Sequence, residues 1–236
     1  SLLLDATDPS VLARRVVELA QACKRIAAAQ PPLVRARLPC KIFGDTHGQL
    51  RDVLLLFASF GAPTHKNAGD VELCSYVFNG DFIDRGEHQV ALVALLFALK
   101  ALYPQRIYLV RGNHEFRSTS ERMGPTSFRA ACSRAFPPAD AHEVYEACFG
   151  VFEWLPLAAL VADRILVVHG GVGDGSWRLE DLAAGVPRPL SDLRVAPAWV
   201  VQALWSDPSD SDADMRRGVH MSPRGGISVE FGPDVT

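Results

Sequence analysis

Three short stretches limit what this 236-residue chain can fold into: Gly44-Asp45-Thr46-His47-Gly48, Gly80-Asp81-Phe82-Ile83-Asp84-Arg85-Gly86 and Gly112-Asn113-His114-Glu115. Each follows a largely apolar run that reads as a strand: Cys40–Phe43, Leu73–Phe78 and Arg106–Val110. The patterns at Gln49–Phe60 and Val90–Leu102 read as helices, closed by Gly61 and by Tyr103-Pro104. Strand, turn and helix recurring in this order is the grammar of an α/β fold. In such folds ligands collect beyond the carboxyl ends of the strands, where all three stretches fall.

The flanks modify this picture. Pro9–Ala29 reads as a helix, with Asp8 as its cap, Pro9 in its first turn and Pro31-Pro32 ending it. One or two helices are expected between Ser127 and Phe149. Trp154–Val161 and Ile165–Val168 read as a hairpin turning at Ala162-Asp163-Arg164, and the second strand runs into His169-Gly170-Gly171. A helix over Ala198–Leu204 and a loop over Ser209–Gly226 follow. The acidic run Asp210, Asp212, Asp214 in that loop reads as a solvated surface. The mixture predicts two packed sheets, a central β-sandwich flanked by helices, rather than one doubly wound sheet. Residues 1–38 are expected to form a helical segment packed on a domain at 39–236.

Several function classes drop out. A net charge of −3 offers no broad basic field for nucleic acid. The longest apolar stretch, Val90–Leu102, is too short to span a membrane. The five cysteines are scattered and odd in number, which suits reduced thiols in a cytoplasmic or nuclear protein. The start has neither an initiator Met nor a signal-peptide pattern, so a piece of a longer chain is expected.

The chemistry lies in the three turns. Asp45 and His47, two apart at a strand end, can face one cation. Asp81, from the next strand end, can bridge two cations, and Asn113 and His169 can hold the second. Carboxylate, imidazole and amide ligands suit hard and borderline divalent metals. Two such ions about 3.5–4 Å apart clamp a phosphate and ionise a water. Beside them, Arg85 offers a fork for phosphate oxygens. His114 can protonate a leaving oxygen, with Asp84 orienting it. Each stretch alone also fits an ordinary capped turn; all three in order, each after a strand, do not. His65, His88, His142 and His220 read as surface residues, and Cys148 as packing.

With these residues in view, the chain resembles the catalytic domain of the PPP family of metal-dependent serine/threonine phosphoprotein phosphatases. The likeness runs from Pro39 to the end. It rests on the three motifs with Arg111, on Phe152-Glu153-Trp154-Leu155-Pro156-Leu157-Ala158, His169-Gly170-Gly171 and Leu204-Trp205-Ser206-Asp207-Pro208, and on Phe231-Gly232-Pro233-Asp234-Val235-Thr236. The last of these and the 152–158 stretch look most like the type-five branch and its EF-hand-linked and plant type-seven relatives. The resemblance implies a metallophosphoesterase-like sandwich and a dinuclear centre of manganese, iron or zinc. It implies Asp45, His47 and Asp81 on one metal, and Asp81, Asn113 and His169 on the other. It also implies His114 paired with Asp84 as general acid, and Arg85 on the phosphate. Phosphoproteins would be the substrates, and regulatory domains or subunits the partners.

A second phosphate-binding arginine is implied shortly before Phe231; Arg224 fits best, with Arg217 as rival. Gln89, Ala91 and Met123 stand where the family usually has serine, glutamate and tyrosine, departures that touch helix packing and one loop. A further metal-ligating histidine is implied downstream of Phe231-Gly232-Pro233-Asp234-Val235, beyond Thr236. On that ground the last strands are expected to be missing and this piece to be weak or inactive. Two other functions are weighed: a bis-nucleoside tetraphosphate or other small-molecule phosphoesterase, and a catalytically impaired binding fragment.

Overall fold

The computed structural model describes residues 8–66, 69–209, 217–226 and 228–235. The elements run α1 (Pro9–Ala29), β1 (Leu33–Ala36), β2 (Cys40–Phe43), α2 (Leu50–Phe60), β3 (Ser75–Asn79), α3 (Gln89–Leu102), β4 (Ile107–Val110) and α4 (Arg117–Ser120). A 3-10 segment, Glu121–Thr126, leads to α5 (Phe128–Ala135), α6 (Pro138–Phe152), β5 (Ala158–Val161), β6 (Ile165–Val168) and α7 (Leu179–Ala184). Last come α8 (Ala198–Trp205) and the short strands β7 (Asp207–Pro208), β8 (Val219–Met221) and β9 (Val229–Phe231).

Two three-stranded sheets carry the fold. One has the order β2-β3-β4, all parallel; the other has the order β1-β5-β6, with β1 parallel and β6 antiparallel to β5. Alternation along the strands explains why both faces are apolar. Val77, Tyr108 and Val110 point one way and meet Val34, Ala36, Ala159, Val161 and Val167 between the sheets. Tyr76, Phe78, Ile107 and Leu109 point the other way, into a core built with α1, α3, α5 and α6. Leu33, Ala158 and Leu160 face α7 and α8. The expected sandwich with helices outside is thus present. Its edge strands β2 and β6 leave Ile42 and Ile165 half-exposed.

α1 forms as expected. The Asp8 carboxylate accepts from the Ser10 N–H at 2.9 Å, and Ala13, Val16, Val17, Ala20, Cys23 and Ala27 make a buried stripe against α3 and α6. Arg188 donates to the Ala27 and Gln30 carbonyls, satisfying orphan acceptors at the helix end. β1, which the sequence pattern does not reveal, follows within residues 1–38 and pairs with β5, so this segment supplies a strand as well as a helix.

Two readings need correction. The strand expected from Trp154 begins only at Ala158, because Trp154 and Leu155 still bond back to Val151 and Phe152 and Pro156 breaks the run. The loop expected over Ser209–Gly226 contains β8, paired antiparallel with β9. The acidic run Asp210, Asp212, Asp214 lies outside the described residues. Among the described residues no helix is long and apolar enough to cross a membrane.

Phe97 is 1 % exposed in the helical core and Phe60 is 70 % exposed. Phe97→Ala is expected to cost about 3–5 kcal/mol in chemical denaturation. Phe60→Ala should stay within about 0.5 kcal/mol of the parent.

Candidate active site

The three motif turns follow directly from the ends of β2, β3 and β4, and His169 from the end of β6. Backbone contacts lock the turns together. The Thr46 and His47 N–H groups donate to the Asp81 carbonyl at 3.1 and 2.8 Å, and Gly48 N–H to the Phe82 carbonyl at 2.9 Å. The Glu115 carboxylate accepts from Asp81 N–H at 2.8 Å, Phe82 N–H at 2.8 Å and Gly112 N–H at 2.9 Å. This closeness needs glycine at two positions. A Cβ on Gly80 would lie 2.5 Å from the Gly112 Cα, and one on Gly112 would lie 2.3 Å from an Asp81 carboxylate oxygen.

Asp81 is the hub. One of its oxygens lies 3.5 Å from His47 Nε2, and the other 3.4 Å from His169 Nε2. Asp45 lies 4.0 Å from His47 and 3.8 Å from His169. Two groups of potential metal ligands share Asp81: His47, Asp81 and His114, and Asp45, Asp81 and His169. The structure thus brings Asp45, His47, Asp81 and His169 together, with Asn113 on the wall of the same cavity. Asp45 stands within 4.0 Å of both His47 and His169, and His114 adjoins His47.

His114 sits among carboxylates. Its Nδ1 is 2.7 Å from an Asp84 oxygen, and its backbone N–H donates to Asp81 at 2.9 Å. The other Asp84 oxygen accepts from the Ser120 hydroxyl at 2.6 Å and from Phe128 N–H at 2.8 Å. Burial disfavours the imidazolium, but the bond to Asp84 and the charges of Asp81, Asp84 and Glu115 outweigh it and raise the His114 pKa. Burial instead lowers His47, against weaker upward pulls from Ile83 and Asp81. Burial also opposes charging His169, yet its bond to Asp81 lifts it to about 9.

Arg85 places Nη2 3.4 Å from His114 Nε2. Both border a cavity of about 550 Å³ that also meets Asp45, Asp81, Asn113 and His169. Arg224 lines the same cavity, held on Asp207 by contacts of 2.6 and 3.0 Å, whereas Arg217 does not reach it.

One residue near the site was misread in sequence. Gln89 is fully buried at the start of α3. Its Oε1 accepts from Asp84 N–H at 2.9 Å, and its Nε2 donates to the Gly86 and Thr126 carbonyls at 3.0 Å. It clamps the turn that presents Asp84 and Arg85, so its departure from the family's usual serine reaches the site and not helix packing alone. That departure was the one available signal.

The profile of the calcineurin-like phosphoesterase family matches residues 38–236. The chain belongs to this family. It is 35% identical over 219 residues to serine/threonine-protein phosphatase BSL2 of Arabidopsis thaliana, which covers 93% of this chain and 21% of that protein. It is 36% identical over 198 residues to human serine/threonine-protein phosphatase 5, covering 83% of this chain and 35% of that protein. The chain thus spans about a fifth to a third of these curated relatives. A solved protein serine/threonine phosphatase from Saccharomyces cerevisiae, described as similar to human PP5, superposes with a TM-score of 0.79 at 30% identity. That match covers 94% of this chain and 65% of that one.

Membership in a metallophosphoesterase family implies divalent metal ions, and the donor set of this chain fits them. His47 commits Nδ1 to the Ile83 carbonyl at 2.7 Å and leaves Nε2 buried without a partner. His169 likewise commits Nδ1 to the Asn79 carbonyl at 2.7 Å. Asn113 donates its amide to the Leu204 carbonyl at 3.1 Å and leaves Oδ1 buried and unpartnered. Histidines oriented through one nitrogen and amides with an orphaned oxygen are the arrangement metal ligands adopt. Asp81→Asn is expected to lower divalent-cation content at least about ten-fold after dialysis, measured by elemental analysis on folded protein. Gly112→Ala should give a similar loss by pushing Asp81 out of place.

Proposed function

We propose that this domain hydrolyses phosphoserine and phosphothreonine esters in proteins, with water accepting the phosphoryl group. The observation that carries the reading is the His114–Asp84 pair, 2.7 Å apart, opening beside the Asp81-centred donors and Arg85. The relatives at 35% and 36% identity, named as serine/threonine phosphatases, support the substrate class.

Asp45, His47, Asp81, Asn113 and His169 would hold two divalent cations, for which manganese, iron and zinc suit the mixed oxygen and imidazole donors. Such ions supply positive charge to the phosphate oxygens and acidify a water. Arg85 grips the phosphate from one side and Arg224, steadied by Asp207, from another. His114 holds a proton on Nε2 and delivers it to the serine or threonine oxygen as it leaves; Asp84 fixes the ring through Nδ1. Regulatory domains or subunits are the proposed partners. The five free thiols favour a reducing compartment, cytoplasm or nucleus.

Manganese-loaded protein is expected to hydrolyse phosphoserine and phosphothreonine peptides in preference to a bis-nucleoside tetraphosphate; the reverse preference would sink the reading. His114→Asn should cut turnover roughly 10²–10⁴-fold with metal content unchanged. The pH dependence has a defined sign. The acid works only while protonated, so kcat falls as pH rises through the raised His114 pKa. Asp84→Asn removes the main upward pull, so this alkaline limb should move to lower pH.

A further inference from the structure

Three arginines line the cavity: Arg85, Arg122 and Arg224. Its carboxylates are already engaged. Asp45 and Asp81 belong to the candidate metal-ligand groups, and Asp207 is held by Arg224. Arg85 faces the general acid. Arg122 differs from both: it is exposed, its Nε donates to the Ser118 carbonyl at 3.0 Å, and no carboxylate among the described residues pairs with it. Its neighbours' charges are taken. Glu121 pairs with Arg129 at 2.7 Å and accepts from the Tyr145 hydroxyl at 3.2 Å, while Arg117 pairs with Glu146 at 3.0 Å.

The segment bearing Arg122 is tied to the phosphate-gripping turn. Arg85 N–H and Gln89 Nε2 both donate to the Thr126 carbonyl, at 2.9 and 3.0 Å, and the Thr126 hydroxyl donates to the Met123 carbonyl at 3.0 Å. The Arg122 guanidinium therefore lines the cavity from a segment tied to that turn, with Nε bonded to Ser118 and its Nη groups facing no carboxylate among the described residues. In the proposed site a phosphate would already meet Arg85 and Arg224, which leaves Arg122 for a neighbouring group. An arginine fork matches a carboxylate.

We propose that Arg122 is a specificity-determining residue, favouring substrates that carry an aspartate or glutamate beside the scissile phosphoresidue. The inference rests on the phosphatase reading and narrows its substrate class. An exposed pair is modest in strength and screened by salt.

The test compares kcat/KM of the manganese-loaded chain on matched phosphothreonine peptides flanked by aspartate, asparagine or lysine. The parent is expected to prefer the aspartate peptide over the asparagine one about two- to five-fold at low ionic strength. That preference should shrink at about 1 M salt. Arg122→Gln should bring the ratio close to one, and Arg122→Glu should turn the preference toward the lysine peptide, a reversal that general loosening of the fold would not produce. An equal rate on all peptides by the parent, or an unchanged ratio in Arg122→Gln, overturns the inference and leaves the phosphatase reading standing. If no peptide is hydrolysed, that reading falls and this one with it.

Discussion

Glu115 is fully buried where β3 and β4 end, and its carboxylate accepts three backbone N–H groups, from Asp81, Phe82 and Gly112. Taking that carboxylate out of water is costly, and burial together with the Asp81 charge pushes its pKa up to about 7. The three N–H bonds act in the opposite sense, each charge-assisted bond contributing about 1.5–3 kcal/mol. What they secure is position. With the second and third turns held on one carboxylate, Asp81, Asn113 and His114 face the same space, and Thr46 and His47 hang from the Asp81 carbonyl. The placing of Asp81 against Asn113 and His114 depends on this knot.

Strain is stored around it. His47, Asp81, Asp84 and Arg85 all adopt positive φ, between 36° and 70°, where side chains other than glycine's fit poorly. Such residues cost of the order of 1–3 kcal/mol each and persist only where the surroundings over-determine them. Here the surroundings are specific: Gln89 and Thr126 hold the turn at Asp84–Gly86, and Ser120 and Phe128 hold the Asp84 carboxylate. The result is a histidine whose proton is held in place by Asp84 and an arginine aimed beside it.

Much of this was legible along the chain because it depends on local pattern. The helices α1, α2 and α3 appear in their apolar spacing, and β2, β3 and β4 as apolar runs ending in turn residues. The site residues travel with those turns. β1 was not legible, since four residues after Pro31-Pro32 carry no period that separates a strand from a loop; only pairing with β5 makes it one. β8 is equally short and depends on β9. Gln89 stands out in sequence only as a departure from the family's usual serine, because its role lies in bonds to residues 84, 86 and 126.

By itself, then, the sequence determined which side chains stand at the strand ends, since strand period and glycine placement are local properties. It could not determine how those side chains group. Tertiary structure set Asp45 within 4.0 Å of both His47 and His169, put His114 next to His47, and brought Arg224 rather than Arg217 to the cavity. Those choices arise from the packing of two sheets and from backbone bonds between turns far apart in the chain. Sequence spacing carries no information about distances of that kind.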